Sequence, residues 1–391
     1  MKIAHLFALL ALAAASACRT TPDYGRALPD GAPALIPLGP NEQHPGFQHQ
    51  FAEREDILPA LDQSIAWMSK KTSAGFFPIE GVTFERARAS LERFRELLTS
   101  SPDAATFEER IENEFTIYKS AGWNGEGGGV LFTGYCTPIL DGRIAADATY
   151  KYPLYALPPD LAKGEGGAIL GRKTDGGIEP YPTRSVIEAT AMFEGQGLEL
   201  VWLKDPIDAY IAHVNGSAFI ELPDGDMLRL GYSGKNGREY KSLGQELVKD
   251  KQIAKDKVSL AGIRKWAGEN PGKVQDYLNR NDSYVFFTRI DGNPRGSLNV
   301  PVAASRSLAT DKRLFPRGSI VFVEAKDGTK SSDGPELNHF MFDQDTGGAI
   351  RTAGRADVYL GIGPDAELLA GRTRIEGQLY YLFLKDTNVD A

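Results

Sequence analysis

Short strand-forming runs constrain this chain more than any other feature. From Gly122 onward the sequence breaks into GGGVLFTGYCTPIL (127–140), AYIAHVNGSAFIELPDGDMLRLGY (209–232), SYVFFTRI (283–290), GSIVFVEAKDG (318–328) and LYYLFLK (379–385). Each run is rich in β-branched or aromatic residues and is bounded by Gly, Pro, Asp or Asn, which is the pattern of strands separated by turns. Pro223-Asp224-Gly225 supplies a hairpin turn between two of them. Two helical textures interrupt the strands. Ala87, Leu91, Phe94 and Leu98 recur at helical spacing after Thr83, a suitable N-cap, and Phe107, Ile111, Phe115 and Tyr118 form a second stripe. A further helical interlude covers 243–280. The expectation is a mainly β protein of two barrel-like bodies with helices packed at one end. At 391 residues the chain is long enough for two domains, or for one domain carrying an insertion.

The first residues read as a targeting segment. Lys2 precedes the apolar run Ile3 to Ala14, which is too short to span a bilayer and suits a signal peptide. It ends in Ala15-Ser16-Ala17-Cys18, small residues before a cysteine, as in a bacterial lipobox that lipidates the thiol of Cys18. Plain cleavage after Ala17, giving a soluble protein, is the alternative. Residues 18–49, rich in Pro, Gly and Asp, read as a tether. The remaining cysteine, Cys136, has no partner in a nucleophile signature and is expected to be a buried thiol.

Composition and missing motifs narrow the chemistry. A net charge of −8 argues against nucleic acid as a partner. Zinc motifs, a phosphate-binding GxxxxGK[ST] loop and a GxSxG elbow are absent from the sequence, and no cofactor is expected. Gly361-Ile-Gly363-Pro-Asp-Ala366 fits the loose dinucleotide pattern, but Pro364 sits inside the turn, which argues against a phosphate-binding loop of a βαβ unit. Carboxylate chemistry remains. Asp311 (SLATDKRLFPRGS), Asp345 (FDQDTGGAI) and Asp357 (GRADVYLG) each sit beside small residues and a strand-like run. Taken singly, each also fits a turn-capping aspartate.

From about Gly122 to Lys385 a series of motifs resembles the membrane-bound lytic murein transglycosylase A family. They are FTGYCTP (132–138), YPLYALP (152–158), PTR (182–184), VWLKDPIDAYIAHVNGS (201–217), LGYSGKNGREYKSLG (230–244), NDSYVFF (281–287), SRSLATD, DQDTGGAI, GRADVYLGIG and ELLAGR. The resemblance implies a double-psi β-barrel (barwin-like) ending in a three-aspartate domain and interrupted by a second β-barrel. Carried onto this chain, the first body is 50–140 plus 281–391 and the insertion is 141–280, after a signal peptide at 1–17. It implies an enzyme of the bacterial envelope, an outer-membrane lipoprotein facing the periplasm. Its substrate would be peptidoglycan glycan strands, and its partners the membrane and other cell-wall enzymes.

The implied reaction cleaves the β-1,4 bond between N-acetylmuramic acid and N-acetylglucosamine without water. The muramyl 6-hydroxyl attacks its own anomeric carbon, so the second carboxylate of ordinary glycosidases is not needed. By family position Asp357 is the single acid and base, supported by Asp345 and Asp311. Gly347 and Gly348 would let the backbone approach the sugar, and Tyr135, Asn215, Ser217, Tyr232 and Asn236 fall in groove motifs. Two departures stand out: Cys136 replaces the family's second tyrosine, and Asn215-Gly-Ser-Ala218 replaces QGSG. A wall-binding protein with little turnover and a glycosidase that uses water are the other readings. Product mass separates the three.

Overall fold

The computed structural model describes residues 21–39, 41–164, 168–325 and 337–386. The expected signal peptide and Cys18 lie outside these residues. No described helix is long and apolar enough to cross a membrane.

The chain is mostly β, with helices. One sheet has eight strands in the order Leu35–Pro37, Phe115–Ser120, Arg374–Leu384, Ile320–Ala325, Leu337–Asp345, Ser307–Ala309, Arg355–Ile362 and Val130–Thr137. The long strand Arg374–Leu384 serves two neighbours on one side: its second half pairs with Phe115–Ser120 and its first half with Val130–Thr137. The second sheet has six strands: Val285–Arg289, Met227–Lys235, Ala218–Glu221, Ile139–Arg143, Glu199–Leu203 and Tyr152–Tyr155. A bridge between Ala156 and Phe287 joins its outer members. A three-stranded sheet, Leu161–Lys163, Ile169–Thr174 and Gly177–Glu179, lies beyond it. The expected hairpin forms, with Glu221 opposite Met227 across Pro223-Asp224-Gly225.

Helices Arg54–Met68, Phe84–Ser100 and Ala104–Glu114 pack on the eight-stranded sheet and share its core. Thr83 caps Phe84–Ser100, its side chain accepting the N–H of Arg86, a contact worth about 1 kcal/mol. The buried face of that helix meets the sheet through Phe94, edge-on to Phe340 at 4.8 Å. Burying a side chain of this size contributes roughly 1.5–3 kcal/mol.

Three expectations change. The second helical stripe breaks after Glu114: Phe115 and Tyr118 belong to a strand, because Phe115–Ser120 finds a full ladder along Arg374–Leu384. Residues 209–215, strand-like in composition, form the end of helix Pro206–Asn215. Asp205 caps it by accepting the N–H of Ile207, Pro206 presets its first turn, and Gly216 closes it at φ 72°. Ile207, Tyr210 and Ile211 then bury one face against the helical interlude. Lastly, part of the expected tether is built into the fold: Leu35–Pro37 pairs with Phe115–Ser120, and Ala34 and Phe47 are buried.

Candidate active site

One cross-strand row organises the site. Ala309 lies opposite Asp345 on one side and opposite Asp357 on the other, and Asp357 lies opposite Thr133. Directly opposed residues project from the same face of a sheet. Asp345, Asp357 and Thr133 therefore share a face, with only the methyl group of Ala309 between the carboxylates. Two strand spacings place the two aspartate Cα atoms roughly 10 Å apart.

Asp343 would share that face if the strand were regular, being two residues from Asp345. A register shift between Leu308 and Ala309 redirects it, the usual effect of a bulge. The shift falls at Gln344, which is pinned in the core. Its Nε2 donates to Ala60 O (2.7 Å) and Ser64 Oγ (3.0 Å), and its Oε1 accepts from Ser307 Oγ (2.6 Å). Asp343 turns inward to Thr310, Lys312 and the Tyr381 hydroxyl.

The two site carboxylates differ in how they are held. Asp345 Oδ1 accepts the N–H groups of Ser297 (2.7 Å) and Thr346 (2.8 Å), and Oδ2 accepts the Tyr135 hydroxyl (2.7 Å). Burial pushes its carboxyl up, while these hydrogen bonds and the Lys312 charge pull it back. The Ser297 contact requires Gly296, where a Cβ would sit 2.7 Å from Gln344 O and 3.1 Å from Asp345 Cγ. Asp357 has less support. The Thr133 hydroxyl donates to its Oδ1, and Arg355 Nε stands 3.9 Å from the same oxygen. Burial again raises the carboxyl, opposed by Arg355 and Thr133. Its side chain keeps 19% of its surface open, enough for a reactant to reach it.

The inserted segment supplies the opposite wall. Tyr240 lies against Gly348, where a Cβ would come within 3.0 Å of Tyr240 Cβ. Burial raises the Tyr240 hydroxyl, and Arg355 and Asp357 both act on it through charge. Tyr232 is 49% exposed, yet enough protein surrounds it to push its hydroxyl up to about 12.

The structure sorts the residues expected from sequence. Tyr135, Asp345, Asp357, Gly347 and Gly348 come together, while Tyr232 lies on the insert beside Gly216. Gly348 makes room for Tyr240, a tighter neighbour than the sugar expected there. Asp311 does not join the pair: its carboxylate is committed to Arg313 Nε (2.9 Å) and Nη2 (2.6 Å). Ser217 is buried, in a chain of hydroxyls through Thr137 (3.0 Å) to Tyr359 (3.1 Å from Thr137). Asn236 is buried with its amide used up: it donates to Pro182 O and Asp282 O and accepts from the N–H groups of Arg238 and Tyr284. Asn215 folds its amide back onto Ile211 O at 3.0 Å. Cys136 is buried, and burial pushes its thiol up to about 12, so it stays an inert thiol. Sequence reasoning missed Tyr240, Arg355 and the Asp343–Lys312 pair. All of them lie inside stretches already quoted, and Asp343 stands two residues from Asp345.

These features define a mainly β protein of two packed bodies with paired carboxylates near where they meet. Residues 131–288 match the MltA specific insert domain and 306–383 match the 3D domain. The chain is 33% identical over 312 residues to the membrane-bound lytic murein transglycosylase A of Vibrio cholerae, spanning 78% of each protein. It superimposes on the membrane-bound lytic murein transglycosylase from Agrobacterium tumefaciens with a TM-score of 0.74 at 25% identity, covering 90% of this chain and 98% of that one. Escherichia coli MltA with bound chitohexaose shares the fold, with a TM-score of 0.68 at 24% identity and coverage of 94% and 100%. The chain belongs to the membrane-bound lytic murein transglycosylase A family.

Proposed function

We propose that this protein is a peptidoglycan lytic transglycosylase in which Asp357 alone serves as acid and then base. The observation that carries the proposal is the unequal support of the two groove carboxylates. Asp345 has its oxygens occupied by three donors that favour the anion. Asp357 has one hydroxyl donor and a burial-raised carboxyl, the condition of a group that holds a proton to give.

The reaction then needs no second carboxylate. Asp357 protonates the glycosidic oxygen as the bond from C1 of N-acetylmuramic acid to the leaving N-acetylglucosamine breaks. The carboxylate left behind takes the proton of the muramyl 6-hydroxyl as its oxygen bonds to C1. The products are a 1,6-anhydromuramyl end and a free glucosaminyl hydroxyl, with Asp357 restored. Holding nucleophile and electrophile in one sugar supplies the proximity that a water molecule would otherwise need. The bound chitohexaose of the Escherichia coli structure supports a sugar oligomer as the occupant of the groove. Tyr135, Tyr232, Gly347 and Gly348 line it; Asn215, Ser217 and Asn236 hold its walls in shape. Loss of turnover in Asp357→Asn, with glycan binding kept, tests the assignment.

The same reading extends to architecture and address. The strand Arg374–Leu384, which pairs with both ends of a five-strand run, supports a double-psi β-barrel. The two sheets support a division into 50–140 plus 281–391 and 141–280, with Ile139–Arg143 and Val285–Arg289 carrying the insert slightly past those limits and Leu35–Pro37 preceding the first. Membrane-bound relatives and the residues before Cys18 support a lipid anchor on Cys18 and an outer-membrane lipoprotein facing the periplasm.

A further inference from the structure

We propose that Arg355 is the positioning residue that lets one carboxyl act twice: its guanidinium stabilises the Asp357 carboxylate formed midway through the reaction. The inference rests on the acid–base reading of Asp357 and adds a second participant to it. Arg355 and Asp357 are two apart on strand Arg355–Ile362, so both project toward the same face. Arg355 Nε lies 3.9 Å from Asp357 Oδ1 and has no hydrogen-bond acceptor although it is buried. An arginine so placed carries an unspent donor beside the reacting oxygen. A shortening of less than 1 Å would turn that contact into a charge-assisted hydrogen bond, which is strongest once the carboxyl has lost its proton.

The other groups near Asp357 cannot take this part. Thr133 and Tyr135 come from strand Val130–Thr137; the first is neutral, and the second is a phenol that burial and Asp345 hold protonated. Strand Ser307–Ala309 offers only Ser307, Leu308 and Ala309. Tyr240, from the insert, is likewise held neutral by burial. Asp345 is a like charge, and the nearby cation Lys312 is engaged with Asp343. Arg355 is thus the cation that faces Asp357 directly. It opposes the burial that raises the carboxyl and so eases release of its proton.

The sign follows from the order of steps. Asp357 must be protonated to start, so kcat/KM falls as pH rises through its pKa. Removing the cation raises that pKa and moves the fall to higher pH. An opposite charge within about 4–6 Å shifts a carboxyl by roughly 1–3 units, and the partial exposure here favours the low end, about one unit. Arg355→Gln and Arg355→Met remove the charge; the second keeps an apolar stem should the first fail to fold. Arg355→Lys restores a cation. We expect the high-pH limb of kcat/KM to move up by about one unit in the Gln or Met variant, with kcat reduced, and to return with Lys. A carbon-13 titration of the Asp357 carboxyl should show the same displacement independently of turnover. If wild-type protein makes no anhydro product, the functional reading fails while the titration still decides the pairing. Profiles and carboxyl titrations that superimpose on wild type in the charge-removed variants overturn the proposal.

Discussion

At the level of single residues, Asp357 is set up against the stability of its own fold. Burial raises its carboxyl, so the folded protein holds a proton that the unfolded chain releases. Such a group contributes stability below the unfolded pKa and loses it as pH rises through the folded value. Asp357→Asn removes this cost at neutral pH while keeping size and the acceptor for Thr133. The variant should melt at or above the wild-type temperature near pH 7, and the gap should close at acid pH. General acid–base catalysis contributes about 10²–10⁴-fold, and one group serving both steps places the loss of turnover at or beyond the upper end. Thermal melts and product release rates check the two halves separately. Asp345 and Asp357 were singled out in the sequence by their positions in family motifs, and the strand register sets them on one face of the sheet. Asp311 was not separable from them: nothing in SLATDKRLF reveals that Arg313 two residues on would claim its carboxylate. Asn236 and Ser217 show the same limit, since a polar residue in a groove motif looks alike whether it faces a sugar or ties backbones together.

At the level of elements, site geometry depends on strands that approach very closely. Gly134 sits between Thr133 and Tyr135, the residues that contact Asp357 and Asp345. A Cβ at Gly134 would fall 2.4 Å from Leu360 Cδ1 and 2.8 Å from Ala370 Cα. Leu360 has rotamers to use, but Ala370 belongs to helix Pro364–Arg372, whose backbone must shift bodily. Gly134→Ala should therefore destabilise by about 1–3 kcal/mol, as overpacked interiors do, and should also lower turnover by displacing Thr133 and Tyr135. Denaturant midpoints with unchanged slopes, measured beside product release, check both effects. Helix Phe84–Ser100 was legible because period, cap and burial agree. Pro206–Asn215 was misread because its composition is that of a strand; Asp205, Pro206 and Gly216 were the deciding signals, and all three lie at its ends. Gln344 marks the other limit of legibility. A bulge is a relation between strands, and no single strand's sequence reports it.

Across the whole molecule, the groove is a product of two bodies meeting. Gly348 from the C-terminal part packs on Tyr240 from the insert, and Thr137 hydrogen-bonds Ser217 near the end of helix Pro206–Asn215. Order and spacing of many motifs made the family legible, while the meeting of the two walls was not, because it depends on contacts between residues 80 or more positions apart. A lipid anchor on Cys18 would hold this groove near a membrane. Cys18→Ser should then release the protein into the soluble fraction and abolish labelling by a fatty-acid analogue; a wild-type protein that is soluble and unlabelled would contradict the anchor. The central claim concerns what fills the groove and how the bond breaks. Purified protein incubated with peptidoglycan, followed by mass spectrometry of the released fragments, reads it directly. Muramyl ends lighter by one water than reducing ends, the 1,6-anhydro form, are expected, and they should disappear with Asp357→Asn. Reducing muramyl ends, or no released fragments at all, would contradict the proposed reaction.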